Sequence, residues 1–181
     1  MQPEKEVINT LAKVVMLAAR TAPKAKGEDD IVMSIVREED KEALAREMKK
    51  ISERKGKGFE FFKRDAESVI KSDCIILIGL KFKRTLKLDC GACGFTCAEI
   101  LEQDKKTLDF TGPLCAIKLL DLGIALGSAA FQAKQLCIDN RIMYSIGVAA
   151  KKLKLIDAEI VMGLPLSVSG KNIYFDRKHH K

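Results

Sequence analysis

The hydrophobic positions of this chain alternate between helical and strand-like patterns. Apolar residues recur at intervals of three and four over 3–20, 39–54 and 61–70, which predicts three amphipathic helices. Two short runs, 31–36 and 74–80, are nearly all apolar and rich in β-branched residues. This composition predicts buried strands, the second of them central.

The second part of the chain continues this alternation. A long helix is predicted after Pro113, with small residues that let a neighbouring element approach closely. Its apolar face carries Ile117, Leu120, Ile124 and Phe131. A helix over 141–153, a strand over 158–164, a turn at 169–170 and a strand over 172–176 follow. Helices and strands mixed in this way predict one α+β domain over 1–181.

Four of the six cysteines fall close together in the middle of the chain. Three lie in the run Cys90-Gly91-Ala92-Cys93-Gly94-Phe95-Thr96-Cys97, and Cys115 follows after seventeen further residues. Four soft sulfur ligands around one point suit zinc or an iron-sulfur cluster. The sequence therefore predicts a metal centre held by Cys90, Cys93, Cys97 and Cys115.

The spacing of these cysteines favours a cluster over zinc. Zinc sites usually combine two CxxC halves, whereas this chain has one such half, a third cysteine and a distant fourth. Gly91 and Gly94 each follow a cysteine directly, so backbone N–H groups can approach inorganic sulfide closely. We also expect a helix starting at Gly94 that places Cys93 and Cys97 on one face. Zinc, or a group of thiols without metal, remain open alternatives.

Other residues near the motif extend this interpretation. A run of basic residues before the motif would offset the negative charge of a cluster, and it consists of Lys81, Lys83, Arg84 and Lys87. Cys74 and Cys137 fall outside the spacing, and we predict that both are small buried apolar side chains.

The cysteine motif resembles a known cluster-binding domain. CGACGFTC is similar to the four-cysteine domain of corrinoid iron-sulfur proteins and of the B subunit of the electron-transport complex. That pattern has four residues between its second and third cysteines, and this chain has three between Cys93 and Cys97. The resemblance implies a [4Fe-4S] cluster.

A second resemblance extends over the whole chain. The phrases AARTAP at 18–23, DLGIA at 121–125 and MGLP at 162–165 are similar to passages of the nitroreductase family, in the same order. That family implies a central mixed or antiparallel sheet flanked by helices, with FMN at a homodimer interface. The segment 81–115 would then be an inserted cysteine loop. The combination is identified as a member of the uncharacterised ferredoxin-domain proteins.

The nitroreductase resemblance also implies contacts for a flavin phosphate. Basic residues after the first helix and near the C-terminus would hold it, namely Arg20, Lys24, Lys26 and Arg177. The alternative for each is ordinary surface charge, because the Asn-x-Gln-Pro-Trp phrase of that family is missing here. The implied function is an oxidoreductase in which a cluster passes electrons to a flavin or a partner. The alternatives are an electron-carrier or redox-sensing module without a substrate, and a structural zinc protein.

Composition and charge restrict the partners. The chain carries 32 Lys+Arg against 25 Asp+Glu, a net charge of +7, but its basic residues are interspersed with acids and there is no Trp. We therefore expect a solvated, ion-paired surface rather than a nucleic-acid site. There is no signal peptide pattern and no apolar run close to ~20 residues, so we expect a cytoplasmic protein without membrane contact. The expected partner is a redox protein or a small-molecule electron acceptor.

Overall fold

The centre of the fold is the strand β2 (Cys74–Leu80), all of whose residues are buried. The structure is a computed structural model, which describes residues 3–175 of the chain. The other strands are β1 (Ile31–Ile35), β3 (Lys106–Thr107), β4 (Thr111–Gly112), β5 (Asp139–Asn140) and β6 (Ile160–Ser167). The main sheet has the order β1-β2-β6-β5, and every pairing in it is antiparallel. The strands β3 and β4 form a separate hairpin.

Helices cover both faces of this sheet. They are α1 (Pro3–Glu6), α2 (Ile8–Thr21), α3 (Glu38–Lys55), α4 (Phe61–Lys71), α5 (Glu99–Glu102), α6 (Ala116–Gln135) and α7 (Tyr144–Lys152). Successive side chains of a strand point to opposite faces. Ile76 and Ile78 accordingly join the core formed with α2 and α6, and Ile75 and Leu77 join the core with α3, α4 and α7. Burial on both faces explains why β2 is apolar throughout.

The sequence predictions for this architecture are confirmed in the main. The α+β fold, its antiparallel sheet, the central position of β2 and the helices α2, α3, α4, α6 and α7 are found as expected. The run at 31–36 is a strand, but residues 32–35 are only half-buried because β1 lies at the edge of the sheet. The expectation that it is fully buried is therefore wrong.

The predicted strand over 172–176 is also wrong, as far as the structure describes it. Residues 173–175 form a turn. Asn172 accepts a hydrogen bond from the backbone N–H of Tyr174 through Oδ1, at 3.0 Å. A local bond of this kind competes with strand pairing. Tyr174 instead lies buried, with its hydroxyl 3.1 Å from Oγ of Ser72.

Three of the four residues predicted for the apolar face of α6 point outward, and Ile117 is half-buried. Leu120 is 62% exposed, Ile124 44% and Phe131 65%. The side of α6 that packs against α2 carries mainly small residues, including Ala125 and Ala129, so the two helices approach closely. An exposed apolar strip therefore remains on the surface of α6.

This strip explains why α6 resembles a membrane span by composition. It is 20 residues long, and 39% of its most apolar window of 18 residues is buried. It is the one helix within residues 3–175 with enough length and apolar character to cross a membrane. Lys118, Asp121 and Lys134 interrupt this helix, so it is not a continuous apolar run, and the expectation of no membrane contact stays a prediction. The core helix of a soluble protein passes the same test, so the finding is weak evidence for a membrane.

The hairpin of β3 and β4 is fastened to the domain at its tip. Asp109 accepts hydrogen bonds from Nζ of Lys55, at 2.6 Å, and from the hydroxyl of Tyr144. Burial alone would raise the pKa of Asp109, but these two donors hold the pKa below its usual range. The hairpin is therefore attached through an ionised carboxylate.

We expect Asp109→Asn to lower the free energy of unfolding by about 1–3 kcal/mol at pH 7, because a charged acceptor is lost. The folded-state pKa is below the unfolded one, so this stabilisation is present above about pH 4 and is lost as the pH falls through the folded-state value. Urea unfolding of wild type and variant at pH 7 and at pH 3 measures the free energy of unfolding at each pH. The exposed neighbour Asp104→Asn is the control. If the difference in free energy of unfolding between Asp109→Asn and wild type stays the same at pH 3, the stabilisation does not come from an ionised Asp109.

Candidate metal centre

The cysteine segment, residues 81–115, begins at the end of β2, and its first residues are fixed to the domain. The backbone N–H of Phe82 donates to Oε2 of Glu159 at 2.6 Å. Nζ of Lys26 donates to the carbonyl oxygen of Leu86 at 2.7 Å, and Leu86 is buried. The segment therefore leaves the sheet in a defined direction.

The chain then turns back on itself through several left-handed residues. Lys87, Asp89, Gly91 and Gly94 have φ values of 52°, 45°, 68° and 84°. Glycine adopts this conformation without steric cost, and Lys87 and Asp89 do not. The N–H of Gly94 donates to the carbonyl oxygen of Gly91 at 2.9 Å, which closes a turn that contains Cys93.

The helix expected to start at Gly94 begins later. A capping box starts α5 at Glu99: Thr96 N–H donates to Oε2 of Glu99 at 2.7 Å, and Glu99 N–H donates to Oγ1 of Thr96 at 3.2 Å. These bonds hold the pKa of Glu99 below its usual range. Cys93 and Cys97 both precede α5, so the expectation that they share a helical face is wrong. Gly94 cannot be the helical start because its φ is positive.

The sulfur of Cys97 already has a backbone donor. The N–H of Asp89 lies 3.4 Å from Sγ of Cys97, and Oδ1 of Asp89 accepts from the N–H of Cys97 at 2.8 Å. N–H groups directed at a ligand sulfur stabilise its thiolate form and tune a metal centre. Asp89 therefore holds both the sulfur and the backbone N–H of Cys97 in place.

The fourth cysteine arrives from a different element. Cys115 is the N-cap residue of α6 and is 6% exposed. Its attachment to the long helix makes Cys115 the member of the set with the most rigid support.

The four cysteines line one small cavity. Cys90, Cys93, Cys97 and Cys115 share it with apolar side chains that include Leu86, Leu88, Phe95, Ile100 and Ile117. Within residues 3–175, no three His, Cys, Asp or Glu side chains are close enough together to hold a metal ion. That result concerns a single ion; in a cluster each thiolate binds a separate iron, so four thiols around a common space need not converge on one point.

The donor set of this cavity fits an iron-sulfur cluster. Four sulfur donors meet the ligand count of a [4Fe-4S] centre, and the apolar lining limits the access of water to it. Zinc accepts the same four donors. Cys90 is exposed, Cys93 and Cys97 are half-buried, and Cys115 is buried, so a group held here would lie near the surface on one side.

A buried lysine lies one helical turn after Cys115. Lys118 is fully buried, and its Nζ donates to the carbonyl oxygen of Glu28 at 2.9 Å. Oδ2 of Asp30 lies 2.9 Å from this ammonium but outside hydrogen-bond alignment, so the contact is an ion pair. Asp121 is buried nearby on the same helix and accepts from the N–H of Ala25 at 3.0 Å. Sequence reasoning missed this group, although charged residues in an otherwise apolar helix were a visible signal.

The basic residues predicted for a flavin phosphate bind protein groups in this structure. Arg20 donates to Asp29 and, at 2.9 Å, to the carbonyl oxygen of Ile31. Lys24 donates to the carbonyl oxygens of Ala19, at 2.9 Å, and of Arg20.

Lys26 binds Leu86 at the base of the cysteine segment. Arg177 lies outside the described residues. The assignment of these four residues to a phosphate therefore stays a prediction.

The two remaining cysteines differ from each other. Cys74 is 3% exposed in β2, where burial raises the pKa of its thiol, in agreement with the predicted apolar role. Cys137 is exposed and has a φ of 59°, so the expectation that it is buried is wrong. It follows the C-terminal end of α6 in a turn, where the backbone rather than side-chain packing determines its position.

Comparison with known proteins identifies the family. Residues 111–177 match the family described as an uncharacterized protein containing a ferredoxin domain (DUF2148). A protein of Archaeoglobus fulgidus, described as an uncharacterized protein, is 50% identical over 179 residues, which cover 98% of this chain and 96% of that protein. The chain belongs to this ferredoxin-domain family. The matched range of the family includes Cys115 but not Cys90, Cys93 or Cys97, so the CGxCG motif is not confirmed by it.

Solved structures with this fold are nitroreductase-like. NfrA2 of B. megaterium has a TM-score of 0.56 at 14% identity, over 97% of this chain and 62% of that one. A nitroreductase family protein of Clostridium novyi NT has a TM-score of 0.56 at 16% identity, over 88% of this chain and 72% of that one. The NADPH:FMN oxidoreductase from Vibrio harveyi, complexed with NAD+, has a TM-score of 0.56 at 12% identity, over 90% of this chain and 60% of that one.

At these identities the likeness shows the fold alone, and the nitroreductase-like fold predicted from the sequence is confirmed. This ferredoxin-domain protein spans about three fifths of the length of NfrA2 and of the Vibrio harveyi structure. A ferredoxin domain in the family description indicates a redox role and an iron-sulfur cluster.

Proposed function

We propose that this protein is an iron-sulfur oxidoreductase in which Cys90, Cys93, Cys97 and Cys115 hold a [4Fe-4S] cluster. The observation that carries the proposal is that these four thiols line one cavity, although they come from a loop and from the start of α6. The ferredoxin domain in the family description also supports an iron-sulfur cluster. Such a cluster supplies one-electron transfer when it is bound.

The residues of the chain hold this site and expose one side of it. Asp89 orients Cys97, and the capping box at Thr96 fixes the chain beyond it. Cys90 lies at the exposed side, where a redox partner protein or a small-molecule electron acceptor would approach. Two of the four basic residues before the motif already have acidic partners: Lys81 pairs with Asp157 at 2.7 Å and Arg84 pairs with Glu28 at 3.1 Å.

FMN at a homodimer interface is the finer part of this proposal. The Vibrio harveyi protein of similar fold is an FMN oxidoreductase by its title. The helix α2, which packs against α6, also carries an exposed apolar side chain, since Leu17 is 61% exposed. Gly123 and Gly127 have no atoms within 4 Å of an added Cβ, so a helix of a second copy can approach closely there. We place this homodimer in the cytoplasm and propose no nucleic-acid or membrane partner.

A carrier without a flavin is the second candidate. Arg20, Lys24 and Lys26 all donate to acceptors within the protein, and Arg20 and Lys24 do so at the end of α2. Cations occupied in this way are poor ligands for a phosphate unless those bonds break. In that case the chain would pass single electrons or sense redox state without a substrate of its own.

Anaerobic purification followed by assay of iron, acid-labile sulfide, zinc and flavin on one sample tests these alternatives. We expect a brown protein with about four irons and four sulfides per chain. Bound FMN in addition would support the flavin enzyme, and its absence would support the carrier. A colourless protein with one zinc per chain would contradict both. Light scattering on the same sample gives the mass and tests the homodimer.

A further inference from the structure

A second cleft lies apart from the cysteine cavity, and none of its lining residues lines that cavity. Its volume is about 590 Å³. The walls come from the C-terminal ends of α3 and α7, from the β3–β4 hairpin and from the chain that precedes β6. Clefts of this size hold small organic ligands.

Four basic side chains line this cleft, and two of them already have partners. They are Arg54, Lys151, Lys152 and Lys154. Lys152 pairs with Glu47 at 2.9 Å, and Lys151 donates to the carbonyl oxygen of Ala158 at 2.8 Å. The second of these bonds leaves the charge of Lys151 uncompensated, because a carbonyl group is neutral.

The two acidic residues of the cleft are bound by cations from outside it. Asp109 accepts from Lys55 at 2.6 Å, and Asp157 pairs with Lys81 at 2.7 Å. Across residues 3–175, neither Arg54 nor Lys154 has a salt bridge. Arg54 also acts on the carboxylate of Asp109, but Lys55 already pairs with that group, so among the described residues the cleft carries more positive than negative charge.

The remaining walls are apolar. Val148 and Ala158 are 5% and 4% exposed at the inner side, and Ile156 lies beside them. Leu108 at the hairpin tip lines the mouth and is 91% exposed. A ligand with an apolar body would lie against the inner wall and would cover this leucine.

We propose that this cleft binds a small organic anion, with a phosphate or carboxylate held by Arg54 and Lys154 and an apolar body against Val148, Ile156 and Ala158. Arginine binds either group through two parallel N–H donors, and lysine adds a compact positive charge. The site needs neither the metal centre nor the flavin, so it stands independently of the proposed function.

Titration calorimetry on the purified full-length protein tests this site with probes that share one ring system. The probes are 1-naphthyl phosphate, 1-naphthoate and the neutral 1-naphthalenemethanol, with inorganic phosphate as a fourth. We expect one of the two aromatic anions to bind at one site per chain, at least tenfold more tightly than both the neutral alcohol and inorganic phosphate. The tighter of the two anions identifies the preferred group. Equal affinity for the alcohol, or no binding of either aromatic anion at millimolar concentration, would overturn the proposal.

A pair of double variants locates the binding. Arg54→Gln with Lys154→Gln should weaken binding of the preferred anion at least tenfold, whereas Lys49→Gln with Lys57→Gln should leave it unchanged. The control residues are exposed on α3 and in the loop after it, so both variants remove the same charge. Circular dichroism checks that each variant is folded. Equal weakening by both pairs would indicate general surface charge and would overturn the site.

Discussion

Replacing Cys115 with serine is expected to abolish binding of the metal centre, with iron and sulfide falling from about four per chain to near zero. Serine oxygen is a hard donor and a weak ligand for iron in a sulfide cluster or for zinc in a thiolate site. Cys115 is 6% exposed at the start of α6, so water or another side chain has little access to replace its sulfur. Iron, sulfide and zinc analysis with visible absorbance measures the loss.

Cys137→Ser is the matched control, because Cys137 is exposed and lies at the opposite end of α6. This variant should keep its full metal content. Cys97→Ser should behave as Cys115→Ser does, since both sulfurs line the cavity. Equal loss of metal from Cys97→Ser, Cys115→Ser and Cys137→Ser would contradict the ligand assignment. Retention by Cys115→Ser would place the centre on the loop cysteines alone.

The sequence predicted the elements whose pattern reflects burial on one or both faces. β2 is apolar along its whole length because cores lie on both sides of it, and the pattern alone indicated that position. The two failures among the strands have local causes. β1 has a similar composition but lies at the sheet edge, and Asn172 forms a bond to the backbone of Tyr174 that replaces the last strand. Neither edge position nor a side-chain bond is visible in hydrophobic periodicity.

The candidate site was predicted in its composition but not in its geometry. The spacing of the cysteines was sufficient to group them, and the structure places all four around one cavity. The local backbone depends on left-handed residues such as Asp89 and on the capping box at Thr96, which no spacing rule contains. The outward face of α6 was missed for a different reason: periodicity finds an apolar face but does not say whether another element of the chain covers it.

Replacing Lys118 with methionine is expected to lower the free energy of unfolding by about 3–5 kcal/mol, because it leaves the buried carboxylate of Asp30 without its cation. Lys118 is fully buried between Asp30, at 2.9 Å, and the carbonyl oxygen of Glu28. Methionine fills a similar volume, so the loss arises from charge rather than from a cavity. Urea unfolding at pH 7, followed by circular dichroism, measures the change.

Lys134→Met on the same helix is the control, since Lys134 is exposed in its last turn, and it should unfold within about 0.5 kcal/mol of wild type. Adding Asp30→Asn to Lys118→Met should recover part of the loss, because the unpaired carboxylate is then neutral. If Lys118→Met lowers the free energy of unfolding no more than Lys134→Met does, the ion pair with Asp30 is dispensable for stability. No recovery in the double variant would assign the loss to the bond with Glu28 instead. Because Lys118 lies one turn beyond Cys115, the same ion pair fixes the start of α6 against the chain that precedes β1, and with it the position of the fourth thiol.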